Sequence, residues 1–230
     1  MTEEREGVIT LEEALKRNSF SVNESMSSEI KKGKAGFKTI TFDKENSLSA
    51  YSFTGGEEPS SFYEERKKLI AGYQDCCIIT FTRTGGEGID LYCDDFDDDG
   101  VTRISSLALH QNERDLLSFA RKNFKKVIVL LNSPNQMEVE EIKKYSDAIL
   151  AIGQPGLTGF LGVSDILCGK VNPSGRLADT YATNSLSSPS VVNSSTRTPF
   201  YKNLSDFSKD LKIKEKAKLA SFQAENIYVG

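Results

Sequence analysis

The sequence predicts an α/β protein, a three-layer α/β/α sandwich around a mostly parallel sheet. Apolar, β-branched runs alternate with helix-like stretches, as in "CCIITFT" (76–82) followed by "QNERDLLSFARKN" (111–123). Strands that are apolar throughout are typical of sheets that are buried on both faces. Crossovers that contain a helix demand parallel pairing, and the helices then cover both sides of the sheet.

The predicted elements begin with a helix over "TLEEALKRN", in which Thr10 and Glu13 form a capping box. A second helix is predicted over 60–73, with a similar box beginning at Ser61. Strands and helices then alternate, and Gly169 closes the last helix. The predicted strands cover 76–82, 126–132 and 147–153, and the predicted helices cover 111–123, 136–145 and 158–169.

Two stretches lack this regularity. Residues 23–58 are rich in Ser, Lys and Gly, and we interpret them as an irregular excursion with one strand, "FKTITF". After "NPSGRLADTYA" the chain becomes rich in Ser, Thr and Pro and then in lysine, which favours a solvated surface over a basic patch. The sequence therefore predicts a sandwich domain over 1–182 and an irregular tail over 183–230.

Composition excludes several classes of partner. The 230 residues carry a formal net charge of −4, so no nucleic-acid partner is expected. The longest apolar runs, "VIVLL" and "AILAI", are too short to span a bilayer. The acidic N-terminus lacks the apolar region of a signal peptide, and a cytoplasmic location is predicted. Four cysteines without a CxxC spacing favour reduced thiols over a zinc site.

The segment from 82 to 100, "TRTGGEGIDLYCDDFDDDG", follows the first regular strand, at the sheet edge where open parallel sheets bind ligands. Asp95 to Gly100 place carboxylates as an EF-hand loop does, but the twelfth position is Ser106 and no helix precedes the loop. A solvated acidic loop is therefore favoured, and no metal is expected. A phosphate site is excluded because "GGEGID" is not GxGxxG and no P-loop Lys follows. No other cofactor is expected.

Acid catalysis is the third interpretation of this segment. Glu87 lies between glycines that allow a sharp turn, and a carboxyl group with a raised pKa serves as a general acid. Asp90 is close enough in sequence to raise that pKa or to accept a sugar hydroxyl. From these local features alone, a structural turn without chemistry is favoured. His110 has no G-x-S-x-G serine to serve, which favours a surface or capping histidine.

Several segments in order resemble one family: "TRTGGEGIDLY", "LALHQNERDLL", "VIVLLNSPNQMEV", the run from Ala148 to Ala182 and the terminal "ENIYVG". They resemble the α/β-sandwich domain of glycoside hydrolase family 3, the β-glucosidase-like enzymes. The run that contains "PGLTGF" and "DILCGKVNPSGRL" is the most specific part. Leu157 within it takes a place that a polar residue often holds.

The resemblance implies a site between two domains. In the family a TIM-like barrel carries an aspartate nucleophile, and the sandwich domain supplies an acid/base glutamate, often in a motif similar to "GGEGID". Carried over, Glu87 is the acid/base residue. Arg83 and Asp90 are neighbours that tune it or touch the sugar. The implied substrate is a β-linked glucoside or a related sugar, cleaved through a covalent glycosyl-enzyme.

The length of the chain limits this inference. A TIM barrel needs about 250 residues, so the barrel and its nucleophile are expected to be absent from this chain. The chain alone is predicted to be inactive unless a partner chain with a TIM-barrel domain completes the site. The alternative is a non-catalytic carbohydrate-binding domain or a docking subunit of a split enzyme. A flavodoxin-like small-molecule domain is disfavoured by the missing phosphate motifs. An unpaired sheet edge predicts a homodimer or aggregation.

Overall fold

The computed structural model describes residues 7–33, 37–39, 53–83 and 94–187. In chain order, its helices are α1 (Leu11–Arg17), α2 (Glu24–Lys32), α3 (Ser60–Glu65), α4 (Gln111–Asn123), α5 (Glu140–Tyr145) and α6 (Phe160–Leu167). Its strands are β1 (Phe37–Thr39), β2 (Phe53–Gly55), β3 (Cys76–Thr82), β4 (Asp94–Phe96), β5 (Arg103–Ser105), β6 (Lys126–Asn132) and β7 (Ala148–Ala151). Short 3-10 helices cover Lys67–Ile70 and Ser185–Ser187.

The centre of the fold is a parallel three-stranded sheet in the order β3-β6-β7. The register pairs Cys76 with Lys126 at one end of β3 and Thr82 with Asn132 at the other. Both crossovers advance in the same direction, so right-handed connections place α4 and α5 on the same face. Helices α1 and α6 pack together as a separate pair. The predicted α/β sandwich class is confirmed.

The buried core accounts for the apolar composition of the central strand. Val127 and Val129 of the central strand are fully buried beneath α4 and α5, and Leu130 is fully buried on the opposite face. The amphipathic α4 contributes its apolar face to the same core, in which the buried residues include Leu116, Leu117, Phe119 and Ala120. Within the described residues, no helix is long and apolar enough to cross a membrane.

Capping residues and apolar runs predicted the ends of several helices and strands. The capping box of α1 is present, with Thr10 and Glu13 bonded in both directions. The predicted ranges of β3, α4 and β6 agree with the structure. Gly169 follows α6 with a φ of +77°, a conformation that suits glycine. Helix α5 begins at Glu140, four residues later than expected.

The prediction that residues 23–58 are irregular is wrong in part, because α2 lies there. Asn23 accepts a hydrogen bond from the Met26 backbone N–H (3.0 Å) and caps this helix. None of the α2 residues is buried, and Met26 and Ile30 are the only apolar residues of this helix, so few apolar positions mark it in the sequence. An ion pair between Glu29 and Arg66 (3.0 Å) links it to the next segment.

The prediction of one helix over 60–73 is also wrong. Helix α3 ends at Glu65, and a 3-10 turn follows. The expected cap at Ser61 is absent, since Pro59 holds the N-cap position without a side-chain bond. The Asn23 side chain donates to the Leu69 carbonyl (2.8 Å), so a distant residue satisfies a group that a longer helix would have used.

Candidate functional site

Arg83 directly follows β3 at the carboxyl edge of the sheet, and its side chain is fully buried. Its guanidinium makes a two-point ion pair with Glu113 in the first turn of α4, with Nη1···Oε1 and Nη2···Oε2 both 2.7 Å. A fork-to-fork pair of this kind is stronger and more directional than a single charged contact. The end of β3 is therefore fixed to the start of α4.

The remaining donors of Arg83 go to backbone carbonyls. Its Nε donates to Ser106 (2.8 Å), Nη2 to Ala108 (2.6 Å) and Nη1 to Thr82 (3.0 Å). With the two bonds to Glu113, these contacts engage all five N–H groups that a guanidinium offers. A direct hydrogen bond from Arg83 to a sugar would therefore require one of these bonds to be given up.

Glu113 also closes the N-terminus of α4. Its Oε2 accepts a hydrogen bond from the His110 backbone N–H (2.8 Å), as the acidic residue of a capping box does. His110 holds the N-cap position and is buried, with 3% of its surface exposed. Of the two expected roles, surface or capping, the surface role is wrong.

The acidic stretch after residue 93 forms a β-hairpin. Strands β4 and β5 pair in antiparallel fashion, with Asp94 opposite Ser105. Asp99 holds the turn, because its Oδ1 accepts from the backbone N–H groups of Val101 (2.8 Å) and Thr102 (2.7 Å). Gly100 has a φ of +70°, which few other residues adopt. The hairpin is not the helix–loop–helix frame of an EF-hand.

Two other carboxylates of the hairpin reach α4. Asp97 Oδ1 accepts from the Gln111 N–H (2.6 Å), and Asp98 Oδ2 accepts from the Asn112 N–H (2.7 Å). The first N–H groups of a helix have no partner within the helix, and negative charge is favourable beside them. Arg114 lies 3.6 Å from Asp97 Oδ2 and adds to this attraction.

Asp97, Asp98 and His110 each place one possible ligand atom within 4.8 Å of the others. This is the described cluster that most resembles a metal site. However, the Asp97 oxygen that faces His110 also accepts from the backbone N–H of Asp98 (2.8 Å) and from that of Gln111. The positive end of α4 disfavours a cation here. The geometry is that of a cap for α4.

A second carboxyl group at this edge was not anticipated from the sequence. Burial and the nearby Glu113 raise the pKa of Glu57 to about 8. Tyr63 donates its hydroxyl to Glu57 Oε2 (3.2 Å), and the Asn112 side chain donates to the Glu57 carbonyl (3.0 Å). The sequence did carry one signal, because "TGGE" occurs both at 54–57 and at 84–87.

Glu87 and Asp90 lie outside the described residues, as does the rest of 84–93. The structure describes Arg83 before this segment and Asp94 after it. It brings Arg83 together with Glu113, a pair that the sequence analysis did not foresee. That Glu87, Arg83 and Asp90 are neighbours stays a prediction.

The fold and this edge define a class: an open α/β domain with several enclosed carboxyl groups where such sheets bind ligands. The chain belongs to the glycosyl hydrolase family 3 C-terminal domain family, whose family model matches residues 7–228. The resemblance in the strand-end motif and in the segments after it is thereby confirmed.

Curated relatives in this family are β-glucosidases. That of Ruminococcus albus is 34% identical over 127 residues, which are 55% of this chain and 12% of that protein. Thermostable β-glucosidase B of Acetivibrio thermocellus is 34% identical over 148 residues, which are 60% of this chain and 19% of that protein. The chain spans less than a fifth of the length of these relatives.

Solved structures agree in fold. β-Glucosidase 3B from Thermotoga neapolitana in complex with glucose matches with a TM-score of 0.56 and 24% identity, over 80% of this chain and 24% of that chain. A β-glucosidase from Paenibacillus barengoltzii matches with a TM-score of 0.57 and 23% identity, over 82% of this chain and 20% of that chain. At this level of identity, the likeness concerns the fold alone.

Proposed function

We propose that this chain supplies the acid/base carboxylate and one wall of the sugar site of a retaining β-glucosidase. Membership in the family supports the class of reaction. The β-glucosidase of Thermotoga neapolitana was solved with glucose, which supports a sugar as the ligand. The observation that carries the proposal is positional: the segment with Glu87 begins where β3 ends, at the ligand-binding edge of the sheet.

The proposed chemistry gives Glu87 two successive tasks. As an acid it donates its proton to the glycosidic oxygen while a nucleophilic carboxylate attacks the sugar carbon, so the leaving alcohol departs neutral. As a base it then takes a proton from water, and the resulting hydroxide-like oxygen displaces the nucleophile. Retaining enzymes place the two carboxyl groups about 5–5.5 Å apart. We assign the nucleophile to a TIM barrel outside this chain.

Asp90 and Arg83 have different proposed roles beside Glu87. Asp90 is proposed to face the sugar as a hydroxyl acceptor or to keep Glu87 protonated by its charge. Arg83, whose N–H groups are all engaged, acts through the fixed end of β3 rather than as a ligand of the sugar. It tunes the site by holding the chain in place.

The test is hydrolysis of a panel of nitrophenyl β-glycosides by the purified chain, with and without a separately expressed family 3 barrel. We expect release of nitrophenol only in the mixture, and a loss of about 10²–10⁴-fold in Glu87→Gln. Glu57→Gln is the matched control, because it removes a carboxyl group at the same edge after the same three-residue sequence. Full activity of Glu87→Gln in the mixture would overturn the assignment.

A non-catalytic role is the second candidate. A carbohydrate-binding or docking domain would bind glucose or the barrel without turnover. Calorimetric titration with glucose tests the carbohydrate-binding role, and titration with the barrel tests the docking role.

In the described residues β7 has a strand partner on one side only, which supports the homodimer prediction. A monomer at high concentration in sizing chromatography would contradict it.

A further inference from the structure

The connection from β3 to the hairpin tip is fixed at both ends to the same helical turn. At one end Arg83 binds Glu113, the third residue of α4. At the other end Asp97 and Asp98 accept from the first two backbone N–H groups of α4, at 2.6 and 2.7 Å. We call these three residues and their contacts with residues 110–113 the α4 anchor.

The chain between the two ends of the α4 anchor, residues 84–96, carries Glu87. Closing the ends of a connection removes conformational freedom from everything between them. The contacts at the two ends are of different kinds. At one end there is a buried ion pair, and at the other end two carboxylates accept from backbone N–H groups at a helix N-terminus. Losing one of them leaves the other in place.

We propose that Arg83, Asp97 and Asp98 are positioning residues for the acid/base segment, a role that rests on the function proposed above for Glu87. None of the three needs to touch the sugar. Their task is to hold both ends of the segment against α4, so that a carboxyl group between them meets the glycosidic oxygen in one orientation. A displacement of about 1 Å from the reactive geometry can cost about a hundredfold in rate.

Asp99 provides a matched control within the same hairpin. It bonds Val101 and Thr102 in the turn and has no hydrogen bond to α4 among the described contacts. Asp99→Ala therefore weakens the hairpin without releasing it from the helix. Asp98→Asn is the conservative variant, because an amide oxygen can still accept from the Asn112 N–H.

The first measurement is hydrogen exchange of backbone amides in the chain alone. In Asp97→Ala/Asp98→Ala we expect the amides of Gln111 and Asn112 to exchange roughly tenfold faster, since each loses its acceptor. In Asp99→Ala we expect the change at Val101 and Thr102 instead. Unchanged exchange at Gln111 and Asn112 in the double variant would overturn the α4 anchor whatever the activity shows.

The second measurement is kcat and KM of the mixture of chain and barrel, at a temperature where every variant is folded. The double variant should lose about a hundredfold in kcat with little change in KM. Asp98→Asn should recover most of the kcat lost in Asp98→Ala. If the double variant exchanges faster yet keeps the kcat of the unchanged chain, while Glu87→Gln is inactive, the positioning role is overturned and the function of Glu87 stands.

The remaining outcomes separate the two proposals. Full activity of Glu87→Gln would overturn the proposed function, and exchange would still decide whether the α4 anchor exists. Equal losses of kcat in Asp99→Ala and in the double variant would show that hairpin stability alone matters, which contradicts positioning. A silent mixture of the unchanged chain and the barrel would overturn the catalytic role of both Glu87 and the α4 anchor.

Discussion

Glu113 and Glu57 are two carboxyl groups near the same arginine, yet they have opposite surroundings. Glu113 receives two hydrogen bonds from Arg83 and one from the His110 backbone. Among the described contacts, the Glu57 carboxyl group receives one hydrogen bond, from Tyr63, and burial together with the charge of Glu113 raises its pKa to about 8. The donors at this edge therefore converge on Glu113, and at Glu57 burial and a neighbouring charge favour the protonated form.

The raised pKa of Glu57 is relevant to the proposed acid catalysis. A general acid at neutral pH must hold a proton that an ordinary carboxyl group would have lost. The raised pKa of Glu57 arises in this way, because burial and the charge of Glu113 act together on it. The same conditions are those that the proposed acid Glu87 requires.

The largest effect is expected from breaking the Arg83–Glu113 pair. Arg83→Met leaves the Glu113 carboxylate buried without its partner, which costs about 3–5 kcal/mol of the free energy of unfolding. Urea denaturation measures this loss. Arg114→Met is the control. Arg114 is partly exposed and pairs with the half-exposed Glu141 (2.7 Å) and at longer range with Asp97 (3.6 Å), so its loss should cost less than about 1 kcal/mol. Equal losses in the two variants would show that the buried pair contributes no more to the free energy of unfolding than the more exposed one.

An intermediate effect is expected from Glu57, and it depends on pH. Its pKa in the folded chain, about 8, lies above the usual 4.5, so the folded chain binds more protons than the unfolded chain between these values. The stabilisation is fully present below pH 4.5 and is lost as pH rises through about 8. Relative to Glu57→Gln, the unchanged chain should lose about 1–3 kcal/mol over this window.

Thermal unfolding from pH 4.5 to 9 tests this expectation. As pH rises, the melting temperature of the unchanged chain should fall steadily relative to that of Glu57→Gln. Parallel curves for the two proteins would show that Glu57 titrates normally. Tyr63→Phe should move the Glu57 transition upward, because the hydroxyl bond of Tyr63 favours the ionised carboxylate.

The smallest effect is expected at Glu12, where the sign is reversed. Hydrogen bonds from Lys31, Lys16 and Ser27 lower the pKa of Glu12 to about 2. The stabilisation is therefore present above pH 4.5 and is lost as pH falls toward 2. This pair network is near the surface, so Glu12→Gln should cost less than about 1 kcal/mol at pH 7. Melting curves in about 0.5 M salt should reduce the difference further.

Prediction from sequence succeeded where the signal is local and repeated. The strand at 76–82 and the helix at 111–123 follow from a run of apolar residues and from an amphipathic period, and both agree with the structure. Helix α2 was missed because none of its residues is buried and it contains only two apolar residues, Met26 and Ile30. The helix over 60–73 was overextended, since α3 ends at Glu65, and the Leu69 carbonyl beyond it accepts instead from Asn23, 46 residues away.

The candidate site divides in the same way. The sequence placed Arg83 at the strand end and selected the acidic stretch after it as a loop with a possible role. It did not show that the carboxylates of Asp97 and Asp98 cap α4, because that contact spans 14 residues and depends on how the hairpin folds back. Nor did it show that Glu113 would be the partner of Arg83, 30 residues away.

By itself, then, the sequence determined the α/β class, the parallel strands and the family resemblance, because apolar patterning and motif spacing are properties of neighbouring residues. Tertiary structure alone decided which hydrogen bonds each carboxyl group receives. Glu57 and Glu113 are the same residue type, and only the folded arrangement gives one of them the donors of Arg83. Burial and hydrogen bonding set a pKa, and both arise from residues far apart in the chain.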